Sequence, residues 1–138
     1  MHIVTTETER HRENGEGKDP RTSPIIAAAI EVHRALGPGL LESAYEECLC
    51  HELDLRGLEF KRQVELPVVY KGVKLDCGYR LRLVVQDEVV LELKSVEKPL
   101  PVHEAQLLTY LKLADKRVGL LINFNVPLLT EGISRIVL

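Results

Sequence analysis

The chain predicts a mixed α/β fold, a sheet of both parallel and antiparallel strands flanked by helices, and three observations predict it. Apolar residues recur with a helical period as far as Leu55 and then switch to a period of two between about residues 59 and 96. A further helical stretch follows from Pro101. After it, "RVGLLINFN" is a short, nearly continuous apolar run of the kind found at the buried centre of a sheet. At 138 residues the chain is one domain's worth. Its 45% apolar and 28% charged content is ordinary for a soluble globular protein. No apolar run approaches the roughly 20 residues needed to span a bilayer. The N-terminal "MHIVTTETERHRENGEGKDP" has no apolar core of a secretory signal, so a cytoplasmic protein is expected.

Residues 1–22 are polar, charged and without periodicity, and read as a loosely held tail ahead of a domain spanning 23–138. Ser23 is placed to cap a first helix, and Pro24 suits its first position, where a missing N–H costs nothing. Ile26, Ala29, Ile30, His33 and Ala35–Leu36 keep a helical period that Gly37-Pro38-Gly39 stops. A second helix is expected from about Leu40 to Leu55, with Leu41, Ala44, Tyr45, Cys48, Leu49 and Leu53 as its apolar stripe and Gly57 just past its end. "EFKRQVELPVVY" is a strand interrupted by Pro67, which places it at an edge or beside a bulge. Lys71-Gly72 makes a turn, strands follow over 73–85 and 89–96, and "SRIVL" closes the chain with another. Cys48, Cys50 and Cys77 lack metal-ligand spacing, because side chains two apart on a helix diverge, and they read as reduced thiols.

Hydrophobic pattern fixes the register expected of the hairpin "GYRLRLVVQDEVVLELKSV". Tyr79, Leu81, Leu83 and Val85 are apolar at odd positions, as are Val89, Leu91 and Leu93. Directly opposed residues in an antiparallel pair share a face, so both sets meet the core only if Val85 opposes Val89 across Gln86-Asp87-Glu88. Continued along the strands, that register sets Arg82 opposite Glu92 and Arg80 opposite Lys94. The second face then carries four charges, either as a solvated surface of ion pairs or as a site.

The residues that carry a resemblance are now assembled. "GPGLLESAYEECL" holds a G-x-x-E-x-x-Y pattern in Gly39, Glu42 and Tyr45, and "VVLELKSVEK", "HEAQLLTYLK" and "VGLLINF" follow in order. Over about residues 24–138 the chain resembles the small GxxExxY proteins, themselves similar to the PD-(D/E)xK nuclease-like superfamily. The resemblance implies a restriction-endonuclease-like αβββαβ core and metal-assisted phosphodiester hydrolysis with Mg2+ or Mn2+. Hard cations prefer carboxylate oxygen, and a bound ion activates water and stabilises the charge of the transition state. It further implies Glu92 as a metal ligand, Lys94 as the catalytic lysine and Glu42 as an accessory acid and second ligand. Gln106 and Tyr110, four apart on one helical face, would approach the same pocket.

One position departs from that pattern. The family carries an aspartate two residues after the arginine of "GYR", and here that position is Arg82. A guanidinium in place of a carboxylate changes the local charge by two units. At about 4 Å, each unit interaction is worth roughly 1 to 4 kcal/mol. Asp76 lies about 20 Å away along an extended strand, too far to substitute unless a bulge at Gly78 intervenes. Arg82 opposite Glu92 is instead expected to form a bidentate pair with it. Arg80, Arg82, Lys94 and Lys98 would then line a cationic cleft suited to the phosphates of DNA or RNA, with Tyr110 beside it. Three functions stay open: a metal-dependent nuclease, a non-catalytic nucleic-acid or phosphate binder, and a homodimeric interaction module. A formal charge of −3 argues against a wholesale electrostatic grip on nucleic acid but leaves room for a local basic cleft.

Overall fold

Thr22, not Ser23, stands at the start of the first helix, α1 (Ser23–Leu36), and Pro24 falls in its first turn. The structure is a computed structural model that describes residues 5–8 by their backbone and residues 19–138 in full. Most of the segment read as a tail lies outside the described residues. Within it, Thr5–Thr8 form a strand, β1, and Asp19 bonds Arg21 and Arg135. The second helix, α2 (Glu42–Leu55), begins two residues later than Leu40, with Leu41 outside it and 77% exposed. Its buried face is Tyr45, Glu46, Leu49, Cys50 and Leu53, so Cys50 replaces Cys48 on the inward stripe. Gly57 ends it as expected: at φ +72° its N–H bonds the Asp54 carbonyl, while the N–H of Leu58 reaches the Leu53 carbonyl. This closing pattern satisfies two of the helix's orphan carbonyls.

The strands after it are β2 (Phe60–Glu65), β3 (Val68–Tyr70), β4 (Val73–Leu75), β5 (Arg80–Val85) and β6 (Val89–Lys94). The single strand expected over 73–85 is therefore split, and β3 and β4 form a separate two-stranded ribbon about the Lys71-Gly72 turn. Both turn residues have positive φ, which matches the twist of a tight hairpin. Helix α3 (Pro101–Ala114) then carries the chain to β7 (Val118–Asn123), parallel to β6, and β8 (Ile133–Val137) runs antiparallel to β7.

The main sheet has the order β1-β8-β7-β6-β5-β2, with β2 at one edge as Pro67 required. One apolar cluster lies between the sheet and α1 and α2. It joins Ile25, Ala29, Tyr45, Leu49 and Leu53 to Leu83, Leu91, Leu120 and Ile122. A smaller one lies on the other face beneath α3, joining Leu107 and Leu111 to Leu81, Val84, Val90 and Leu121. Helix, three strands, helix and strand, with β3–β4 inserted and β8 appended, form the restriction-endonuclease-like core that the resemblance implies.

Candidate functional site

The hairpin holds the expected register at its closed end: Val85 opposes Val89, Val84 opposes Val90 and Leu83 opposes Leu91. There the ladder stops. β6 continues against β7 as far as Lys94, while β5 continues against β2 as far as Arg80, so the two strands part like the arms of a fork. The pairings expected of Arg82 with Glu92 and of Arg80 with Lys94 are not made. The cause is a change of face. Leu83 and Val85 join the α1–α2 cluster, whereas Leu81 joins the α3 cluster, so strict alternation breaks at Arg82. The neighbouring strand breaks in step: Gln63, which the ladder skips opposite Arg82, has φ +52°, a left-handed conformation that costs a non-glycine residue energy.

The break turns Arg82 toward α2. Its Nη1 donates to Glu46 Oε1 at 2.7 Å and its Nη2 to Glu42 Oε1 at 3.1 Å. Glu92 is not its partner, which corrects the bidentate pair expected from regular alternation. Glu46 is 3% exposed and also accepts from Arg62 Nε at 2.9 Å, with Gln63 Nε2 at a long 3.5 Å. Arg62 reaches Glu47 as well, at 2.6 Å, and these two carboxylates hold its guanidinium firmly protonated. Glu42 and Glu46 are four apart, one helical turn, so both face the sheet. Glu46, Arg62 and Gln63 were missed in the sequence. The i, i+4 spacing from Glu42 was the available signal for Glu46, but nothing local announces the left-handed Gln63.

Glu92 lies on the opposite face, the α3 face, since Val90 two residues before it and Leu121 opposite it both pack beneath α3. It is 9% exposed, and among the described residues no hydrogen bond or ion pair reaches its carboxylate. Burial pushes its carboxyl above the ordinary glutamate range, with the charges of Lys94 and Arg82 acting against this. Lys94, two residues on along the same face, is half-buried. Tyr110 on α3 accepts a hydrogen bond from Gln106 Nε2 at 2.9 Å, and its hydroxyl is pushed up by burial first and by the charge of Glu92 second. Tyr79 leans on Tyr110 with ring centroids 6.0 Å apart. Tyr110 thus lies within reach of the charge of Glu92, whereas Gln106 is exposed and is tied to Tyr110.

The remaining expected residues serve other ends. Arg80 is exposed at the start of β5 beside Glu65, at 3.7 Å, and Lys98 sits on the exposed loop after β6. With Arg82 turned away and neutralised, the cationic cleft shrinks to Lys94 and Lys98. Tyr45 is structural: it stacks on Phe124 at 4.4 Å, its hydroxyl donates to the Gly37 carbonyl at 2.6 Å, and it accepts from the Leu40 N–H at 3.1 Å. The G-x-x-E-x-x-Y pattern therefore builds the bend between α1 and α2, with Gly39 at φ +99° inside it and Glu42 delivered to Arg82. Asn123, buried at the end of β7, binds Val96 through both its N–H and its carbonyl and fixes the exit of β6.

These residues do not fit the divalent ion that the resemblance implies. A cation site needs converging oxygen donors, yet Arg82 bonds both Glu42 and Glu46, and Glu92 feels the charges of Arg82 and Glu42 without a hydrogen bond to either. Among the described residues no three His, Cys, Asp or Glu side chains come together as a metal site. Nor is any helix among them long and apolar enough to cross a membrane. A family model described as the PD-(D/E)XK nuclease superfamily matches residues 19–136. No curated protein and no solved structure matches the chain.

Proposed function

The chain belongs to the PD-(D/E)XK nuclease superfamily, and on that premise we propose that it is a GxxExxY-type member that binds nucleic acid without cleaving it, in the cytoplasm. The observation that carries the reading is the pair of bonds from Arg82 to Glu46 and Glu42, at 2.7 and 3.1 Å. The guanidinium is a tethered cation that occupies the carboxylates a metal would need. It satisfies their charge but cannot lower the pKa of a bound water or offer an open coordination position, which are the two services a catalytic ion provides. Lys94 and Lys98, which make no ion pair among the described residues, are the cations left for phosphate, and the Tyr79–Tyr110 pair near Glu92 offers a surface for a base.

The test is threefold. Calorimetric titration with Mg2+ and Mn2+ is expected to show no micromolar binding. Single- and double-stranded DNA and RNA incubated with either ion are expected to stay intact, for the wild type as for Lys94→Ala. A labelled single strand is expected to bind with a salt slope of about −1.4, the value for two phosphate contacts. Metal-dependent cleavage that Lys94→Ala abolishes would refute the reading.

A second reading, a homodimeric interaction module, is favoured by the ribbon. Val68 with Leu75 and Tyr70 with Val73 are opposed pairs on one face, and Tyr70, Val73 and Leu75 are exposed. Such a face marks an interaction surface. Sizing chromatography with Tyr70→Ser/Val73→Ser as control distinguishes a dimer built on it from a monomer.

A further inference from the structure

Helix α3 packs chiefly on β7 and β8. Towards β5 and the edge strand β2 the same face stays partly open, and a cleft of about 320 Å³ lies there. That volume is at the lower end of the roughly 300 to 1,000 Å³ of small-molecule sites. Val64, Leu81 and Val84 form its floor, Leu113 and Ala114 at the end of α3 one wall, and Val69 of the β3–β4 ribbon the other. Every lining side chain is either aliphatic or charged; none is aromatic, hydroxyl-bearing or an amide. The charges do not balance. Lys116 holds the Asp87 carboxylate at 3.1 Å, and Glu65 faces Arg80 at 3.7 Å. Lys61 and Lys74 make no ion pair among the described residues, and Lys61 reaches Asp87 only through its charge. Two ammonium groups are thus left beside an apolar hollow.

We propose that this cleft binds a medium-chain fatty carboxylate, its alkyl chain on the Val64–Leu81–Val84 floor and its carboxylate at the rim lysines. A base or a sugar would find no neutral hydrogen-bonding side chain in the lining, whereas an alkyl chain finds a continuous aliphatic wall. Burial of that chain supplies most of the affinity. The rim ion pair is exposed and adds little strength, but it fixes which end of the ligand faces out and disfavours a cationic head. Val69 and Lys74 are directly opposed on the ribbon and so share a face, and both line the cleft. One face of the ribbon therefore brings an apolar contact and a cation to the same place. None of the lining residues belongs to the Arg82–Glu42–Glu46 network or to the surface proposed for nucleic acid, so the ligand does not depend on that reading.

The experiment is calorimetric titration of the full chain, at low salt, with hexanoate, octanoate and decanoate, and with decyltrimethylammonium as the cationic control. Decanoate is expected to bind one to one with a Kd below about 1 mM. Affinity is expected to rise about two- to fourfold per added methylene, roughly fourfold being the limit of full burial. Val69→Glu, at a position 57% exposed, sets a carboxylate against the ligand and is expected to weaken decanoate at least about tenfold. Lys61→Gln/Lys74→Gln, at two exposed positions, is expected to weaken it about fivefold while keeping the dependence on chain length. Urea midpoints close to wild type check that both variants fold; were either to fail, the chain-length series and the cationic control on wild type decide alone. Affinity flat with chain length, decyltrimethylammonium binding as tightly as decanoate, or no saturable binding of decanoate would each overturn the proposal. So would decanoate binding that both variants leave unchanged, or a dimer that Val69→Glu dissolves and decanoate does not, which would seat a second copy of the chain in the cleft.

Discussion

Replacing Arg82 with methionine keeps the stem of the side chain and deletes its charge, and the structure sets the size of the effect. Glu46, with a side chain 5% exposed, loses its 2.7 Å partner but keeps Arg62 at 2.8 Å. Glu42, with a side chain 32% exposed, loses a 3.1 Å contact and falls back on water. The loss is therefore one charge-assisted hydrogen bond to a buried acid, about 1.5 to 3 kcal/mol. It stays below the 3 to 5 kcal/mol roughly expected when a buried charge is stranded outright. For a domain of this size that lowers the melting temperature by about 5 to 12 °C. Urea unfolding followed by circular dichroism, on Arg82→Met, Glu46→Gln and the double variant, measures the coupling. A coupling of at least about 1 kcal/mol with an unchanged urea slope is expected. If the single effects add to within about 0.5 kcal/mol, Arg82 and Glu46 do not act as a pair and the tethered-cation reading fails with them.

Glu92→Gln is expected to raise stability at neutral pH, because it removes a buried carboxylate whose desolvation Lys94 and Arg82 offset only in part. The sign follows from burial: a carboxyl raised above its unfolded value takes up its proton first in the folded state, so the wild type regains stability as pH falls through the raised pKa. The gap to the variant should close across that window in thermal scans at stepped pH. Tyr45→Phe keeps the stack on Phe124 but loses the bonds to Gly37 and Leu40, for an expected cost of about 1 to 2 kcal/mol in urea unfolding. Burial pushes the Cys50 thiol up to about 11, so at pH 8 a thiol reagent should label the exposed Cys48 and Cys77 quickly and Cys50 only on unfolding. Arg82→Asp places three carboxylates around Arg62; it should be less stable than Arg82→Met in chelator and should gain a melting-temperature rise with Mn2+ that the wild type lacks.

Local signals in the chain located nearly all the elements, because the helices and strands carry clear apolar periods and glycine marks where they stop. Gly57 ends α2 where its freedom to adopt positive φ implied, and the register of Val85 against Val89 follows from a one-residue slip exposing the core. What could not be read was the behaviour of two strands at one point. Alternation extrapolates without limit, so "GYRLRLVV" appeared to place Arg82 and Glu92 on one face. The actual break needs a left-handed Gln63 on another strand, an acid from a helix 36 residues away in sequence to hold Arg82, and a sheet that forks after Leu91. Each is a tertiary condition. The same reasoning explains α2: Leu41 fell on the apolar stripe by helical period, but the bend fixed by Tyr45 leaves it 77% exposed ahead of the helix.

The charge count explains how the fold tolerates the substitution. A divalent ion brings +2 to its carboxylates. Here Arg62 and Arg82 together bring +2 to Glu42, Glu46 and the more exposed Glu47, each held by directed bonds of 3.1 Å or less. The site's architecture, α2 drawn against the β2–β5 edge, is therefore kept by covalently attached cations that neither dissociate nor exchange. What two guanidiniums cannot reproduce is polarisation of a water molecule, because their hydrogen-bonding groups all donate and leave no Lewis-acidic position.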